Sequence, residues 1–265
     1  MSESVVADRP VRHHRSLFLS DLHLGALGSR ADLVLDFLKS HLAESYLLVG
    51  DIVDLGTPLL SRWSAEHQAV IDFLRKRQDA GARITYVRGN HDPAPEDVEA
   101  DRRLPVPVVD RAVHVAADGR RYLVIHGDEA DMRLLRWHLL TRLGSLADGL
   151  LRRVDGVIGQ LVTHGNPNRR SAIEALLAVV NRGLSPGRAH ERRLADLARG
   201  AGCDGVICGH FHIAALRELK GVRYANCGDW TDSFTALVED FSGRIQLMGG
   251  RKSLATTRFP ELVSA

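Results

Sequence analysis

Covalent and thiolate staples are nearly absent from this chain. Only three cysteines, Cys203, Cys208 and Cys227, occur in 265 residues, an odd number with no paired spacing, which excludes a disulfide framework and a zinc knuckle. They read as packing residues in a reducing compartment. No apolar run approaches the ~20 residues that cross a bilayer, and the first 25 residues hold no apolar stretch of signal-peptide length. The expectation is a cytoplasmic protein. Aromatic residues make up only 5% of the chain, too few for the stacking platforms that single-stranded nucleic acid requires. Repeats, low-complexity tracts and long linkers are also lacking, which excludes collagen-like, solenoid and disordered classes.

What is present is ordinary in bulk and uneven in placement. With 45% hydrophobic and 26% charged residues, a chain of this length can bury one large α/β core carrying an insertion. The net charge of +2 conceals an imbalance, because residues 130–200 carry twelve Arg and no Lys against six acidic residues. Such a segment suits an anionic partner.

Short apolar runs at Leu17–Leu19, Tyr46–Val49 and Ile84–Val87 read as buried strands. Amphipathic stretches at 30–43 and 64–79 read as the helices between them. Val106 to Val115 and Arg121 to Ile125 read as two further strands. Residues 131–200 then have a helical pattern, interrupted by Gly144, His164–Asn168 and Ser185–Gly187. The predicted organisation is a core of residues 1–130 and 201–265 with a helical insertion at 131–200. After it, Gly205 to Cys208 and the runs Ile213 to Leu219, Val222 to Cys227, Thr235 to Glu239 and Arg244 to Met248 close the core.

A polar cluster follows each early strand at its carboxyl end, the edge where open α/β sheets bind ligands. The residues are Asp21, His23, Asp51, Asn90, His91, His126, His210 and His212. Carboxylates, imidazoles and one amide without thiolates suit divalent ions such as manganese, iron, zinc or magnesium better than a structural zinc. One Gly-Asp or His-x-His is weak by itself, since aspartate after a strand usually caps a turn. Five successive strand ends carrying such groups have no packing explanation. Asp-x-His and His-x-His are expected to aim both side chains to one side of an extended strand end. Asp54, Asp128 and Asp229 read as supporting or turn residues. His13, His14, His41, His67, His138, His164 and His190 fall on helices or loops and read as solvated.

The ordered blocks SDLHLG, GDIVD, GNHD, HGD and GHFH resemble the five motifs of the calcineurin-like metallophosphoesterase superfamily and span residues 20–212. The resemblance implies an α/β fold, a two-sheet metallophosphoesterase sandwich flanked by helices, here with a helical cap insertion. It also implies two divalent ions per chain, manganese first among the candidates. Asp21, His23 and His212 would hold one ion, Asn90, His126 and His210 the other, and Asp51 would bridge both. His91 would be left to act on the leaving group, with Asp92 a candidate to orient its ring. Two such ions neutralise phosphoryl charge and make a nucleophile of water near neutral pH.

The placement of the insertion, with the blocks GDEADMRLLRW and DGVICGHFHIAALRELKGVRYANCGDW, is similar to the UDP-2,3-diacylglucosamine diphosphatases of lipid A biosynthesis. Those enzymes commonly carry Arg where this chain has His91. The insertion places Leu135 and Leu139 on an apolar stripe bordered by Arg133 and Arg136, a pattern that fits an acylated diphosphate or an anionic membrane surface. The expected substrate is therefore a nucleotide-linked lipid cleaved to UMP and a lipid phosphate at the inner face of the cytoplasmic membrane. The alternative is a phosphodiesterase or phosphatase for soluble nucleotides or another phospholipid. With Trp137 the one aromatic ring of the insertion, nucleic acid is not expected.

Overall fold

The computed structural model describes residues 10–26, 28–55, 63–130 and 189–250. Two mixed sheets face each other. In the first, β1 (Arg12–Leu19), β2 (His41–Val49), β3 (Arg83–Val87) and β4 (Val108–Val109) run parallel, and β10 (Thr235–Glu239) and β11 (Ile245–Gly249) extend the other side of β1 antiparallel. Its order is β11-β10-β1-β2-β3-β4. The second contains β5 (Ala112–Val115), β6 (Arg121–Val124), β7 (Gly205–Cys208), β8 (Ala215–Leu219) and β9 (Val222–Asn226) in the order β5-β6-β7-β9-β8. Helices α1 (Ala31–Ser40) and α2 (Ala65–Asp79) cover the first sheet, and α3 (Ala189–Gly200) covers the second. This is the expected α/β sandwich.

Strand periodicity explains the layering, because alternate residues face opposite sides of a sheet. Leu17, Leu19, Tyr46 and Leu48 pack with Val34, Phe37 and Leu38 of α1 and Val70, Ile71 and Leu74 of α2. Their neighbours Phe18, Leu47 and Val49 point the other way, onto Tyr122, Val124, Ile207 and Ala225 of the second sheet. The outer face of that sheet takes Leu194, Ala195 and Ala198 of α3. Each fully buried Leu or Phe contributes about 1.5–3 kcal/mol. α3 lies within the segment predicted as insertion, so among the described residues core packing resumes at Ala189.

Three differences from the sequence reading have local causes. The helix read over 30–43 ends at Ser40, because residues 41–43 pair with Arg12–His14 of β1. The run from Val106 to Val115 is divided between sheets: Val108 and Val109 pair with β3, and Ala112–Val115 pair with β6. His14, His41 and His67 are buried rather than solvated. The rings of His14 and His41 stack at 5.4 Å, and His67 completes a capping box with Ser64 at the start of α2.

Opposite Ser16 of β1, Glu239 at the end of β10 ties the sheets together. Its carboxylate accepts from Arg15 Nη1 at 2.6 Å, Ser16 Oγ at 2.6 Å, His114 Nε2 at 2.8 Å and the Ala117 N–H at 2.8 Å. Burial opposes its ionisation, but these donors hold its carboxyl down at about 2.

Candidate metal centre

Carboxyl ends of strands from both sheets converge on one edge. β1 delivers Asp21 and His23, β2 delivers Asp51, and β3 delivers Asn90 and His91. From the second sheet, β6 delivers His126 and β7 delivers His210 and His212. The edges meet at glycines: a Cβ on Gly50 would lie 2.4 Å from His126 Nδ1, and one on Gly209 would lie 1.7 Å from Ser20 Oγ. Only hydrogen fits at either place.

The backbone differs from the extended geometry expected for the Asp-x-His and His-x-His pairs. Asp21, His23, Asp51, His210 and His212 all have left-handed backbone, with φ between 46° and 67°. Side chains in such a turn converge because the chain coils, not because it is pleated. The left-handed region costs a non-glycine residue about 1–2 kcal/mol, and such strain gathers where function holds it. Interlocking hydrogen bonds keep it in place. Asp21 and His23 donate their N–H groups to the carbonyls of Gly50 and Asp51, each at 3.0 Å, and the His210 N–H donates to Asp21 Oδ2 at 3.0 Å.

Among the described residues three groups of ligating atoms result: Asp21, His23 and His212; Asp51, His126 and His210; and His23, Asp54 and His91, with the atoms of each group lying within 4.8 Å of one another. The first two match the ligand sets that the sequence implied. Asp21 Oδ1 is 3.2 Å from His212 Nε2 and 3.9 Å from His23 Nε2. Asp51 Oδ2 stands between the groups, 3.3 Å from His126 Nε2 and 3.9 Å from His23 Nε2. The His126 Nδ1–H donates to the Val49 carbonyl at 2.9 Å, so Nε2 is the nitrogen turned toward Asp51. Asn90 is exposed between Gly89 and His91 in the β3 loop.

Charge is concentrated here. Burial alone would raise the Asp21 carboxyl, but His212 and His126 hold it down at about 2. Asp51 is held well below the carboxylate range, because His126, His23 and His91 outweigh its burial. Conversely, burial opposes protonation of His126 and His212, yet the facing aspartates raise them to about 10 and about 9. Imidazolium protons therefore stand where the field calls for cations. Asp21 Oδ1 and His126 Nε2 are fully buried and, beyond their ion-pair contacts with His212 and Asp51, make no well-formed hydrogen bond, an arrangement that costs free energy and that metal coordination would relieve. An oxygen and imidazole donor set fits a hard or borderline divalent ion. The residues fit the implied metals.

Around the cluster, Asp54 does what was expected of Asp92. Asp54 Oδ2 lies 3.1 Å from both His23 Nδ1 and His91 Nδ1. The carboxylate of Asp92 instead binds the backbone N–H groups of Asp51, Ile52, Val53 and Gly89 and the Tyr86 hydroxyl, so the proposed orientation of the His91 ring by Asp92 is corrected. The GDIVD spacing contained the signal for Asp54, three residues after Asp51. Asp229 is buried, with Oδ2 3.8 Å from His212 Nδ1. The three cysteines are buried, and burial pushes the Cys208 thiol up to about 12, which keeps it out of metal chemistry near neutral pH. Arg133, Leu135, Arg136 and Leu139 lie outside the described residues. No helix among the described residues is long and apolar enough to cross a membrane.

The site and its sandwich define a metal-dependent phosphoester hydrolase. Residues 14–214 match the calcineurin-like phosphoesterase family, and the chain belongs to that family. Solved structures similar to it include a Vps29 single mutant from Entamoeba histolytica, with 15% identity over 88% of this chain and 89% of that chain and a TM-score of 0.44. Another is Yfce, a phosphoesterase from E. coli, with 15% identity over 87% of this chain and 95% of that chain and a TM-score of 0.44. A hypothetical protein from Pyrococcus horikoshii OT3 has 11% identity over 89% of this chain and 86% of that chain and a TM-score of 0.45. No curated protein sequence matches the chain.

Proposed function

We propose that this hydrolase holds two divalent ions, manganese first among them, and cleaves the diphosphate of a nucleotide-linked lipid such as UDP-2,3-diacylglucosamine to UMP and a lipid phosphate. The observation that carries the two-ion reading is the position of Asp51 Oδ2 between two imidazole-carboxylate groups whose Asp21 Oδ1 and His126 Nε2 are buried without a well-formed hydrogen bond. Asp21, His23 and His212 would hold one ion, Asn90, His126 and His210 the other, and Asp51 both. Bound there, such ions supply Lewis acidity toward phosphoryl oxygens and activate water. His91 would protonate the departing oxygen. Its Nδ1–H donates to the Asp54 carboxylate, so in the protonated ring Nε2 carries the available proton, and that hydrogen bond raises its pKa against partial desolvation.

The lipid part of the proposal rests on the sequence of residues 131–188, where Arg133 and Arg136 would meet phosphate oxygens and Leu135 and Leu139 would meet acyl chains at the membrane's inner face, while residues 189–200 belong to the core. A second reading, hydrolysis of soluble nucleotide phosphodiesters, is favoured by His91 itself, which stands where the lipid-processing branch commonly carries Arg. Incubation with UDP-diacylglucosamine and Mn²⁺ separates the two. Release of UMP supports the lipid substrate; turnover of small nucleotide diesters without UMP release supports the second reading.

A further inference from the structure

The β2 and β3 loops hold each other by exchanging carboxylates. Asp51 Oδ1 accepts the His91 N–H at 2.7 Å. In return, Asp92 accepts the N–H groups of Asp51 at 2.9 Å, Ile52 at 2.8 Å and Val53 at 3.0 Å. It also accepts the Gly89 N–H at 2.7 Å and the Tyr86 hydroxyl at 2.6 Å. Three successive backbone N–H groups around one anion make a nest, an arrangement that left-handed backbone creates, and Asp51 has a φ of 54°. Gly89 permits the close approach, since a Cβ there would lie 2.2 Å from Asp51 Oδ1. With Oδ1 taken by the His91 N–H, it is Oδ2 that faces His23 and His126.

We propose that Asp92 is a positioning residue: its carboxylate fills the nest at 51–53, holds Asp51 in the left-handed turn, aims Oδ2 between the two imidazole groups and so sets the affinity of the centre for its ions. The inference rests on the two-ion reading above. It acts through the Asp51 backbone and is separate from His91, whose ring faces Asp54. An asparagine at position 92 keeps one acceptor oxygen and turns its amide N–H₂ against donors that now point at a carboxylate.

Calorimetric titration of metal-free protein with MnCl₂ tests this, with folding followed by circular dichroism and turnover measured on a small phosphodiester. Asp92→Asn should bind Mn²⁺ about 10–100-fold more weakly, the range for groups that support metal ligands. Its KM should be unchanged, and excess Mn²⁺ should restore turnover. Tyr86→Phe removes one donor to Asp92 and should weaken binding several-fold in the same direction. Wild-type Mn²⁺ affinity in folded Asp92→Asn overturns the proposal, as does a turnover loss that excess Mn²⁺ does not repair. If Asp92→Asn does not fold, Tyr86→Phe decides alone, and wild-type affinity there overturns the proposal. Absence of Mn²⁺ binding by the unsubstituted protein would instead remove the two-ion reading itself.

Discussion

Among the described residues, two buried polar clusters that join the sheets of this sandwich are built on opposite principles. At Glu239, four donors from β1, β5 and the adjoining turn satisfy one carboxylate. At the strand ends, carboxylates and imidazoles crowd together, Asp21 Oδ1 and His126 Nε2 make no well-formed hydrogen bond, and five residues adopt left-handed backbone. A buried polar group normally finds its partners. A saturated cluster is therefore complete as a structural tie, whereas an unsaturated and strained one is organised around something it binds.

The comparison breaks most sharply at Asp51. Asp51→Asn should lower phosphodiesterase activity by at least about a thousandfold, because several kcal/mol of charge stabilisation depend on the ions it helps hold. The melting temperature of the metal-free protein should fall as well, because Asp51 faces His126 and His23 and accepts the His91 N–H. Steady-state kinetics and thermal melts on the same samples check both halves. Glu239→Gln should touch stability alone: urea denaturation should show a loss of about 3 kcal/mol, typical of breaking a buried ionic hydrogen-bond cluster, with kcat and KM unchanged.

His91→Asn lies between these extremes. Turnover should fall roughly 100-fold, within the range of general acid catalysis, while metal analysis finds the wild-type ion content. Loss of an ion from this variant would assign His91 to the metal instead of the leaving group.

The pH dependence of stability separates the clusters by sign. Glu239 is held at about 2, so its contribution is complete above its unfolded value of about 4.3 and is lost as pH falls toward 2. Asp21, held at about 2, adds to the same acid limb. His126 and His212 are raised to about 10 and about 9, so in metal-free protein their contribution is complete below about 6.5 and is lost as pH rises through those values. Denaturation midpoints across pH 2–10 should show both limbs. Glu239→Gln should flatten only the acid limb, and saturating Mn²⁺ should reduce the alkaline one, because the ions replace those protons.

The two clusters were not equally legible in the sequence. Apolar runs ending in Gly-Asp, Gly-Asn-His and Gly-His announce strand ends locally, so the strands and the eight polar residues that follow them could be read directly, whereas the two-sheet arrangement was implied by the resemblance of the motifs to a known family. The exchange of roles between Asp54 and Asp92 could not, because it depends on how the β2 and β3 loops coil against each other. The left-handed backbone at Asp21 and His23 was hidden for the same reason: an Asp-x-His pair suits a pleated strand or a coil equally well. Glu239 gave no signal at all, since Ser16 lies 223 residues away in the chain and the tie exists only once the sheets have packed. The buried pair His14 and His41 likewise follows from the parallel register of β1 and β2.

Titration of metal-free protein with MnCl₂ near pH 7.5, with heat and released protons recorded together, tests the central claim most directly. The unsaturated cluster predicts two ions per chain, with protons released as His126 and His212 become ligands, and wild-type binding in Glu239→Gln. Absence of Mn²⁺ binding, or two-ion binding that persists with full affinity in Asp51→Asn, would contradict it.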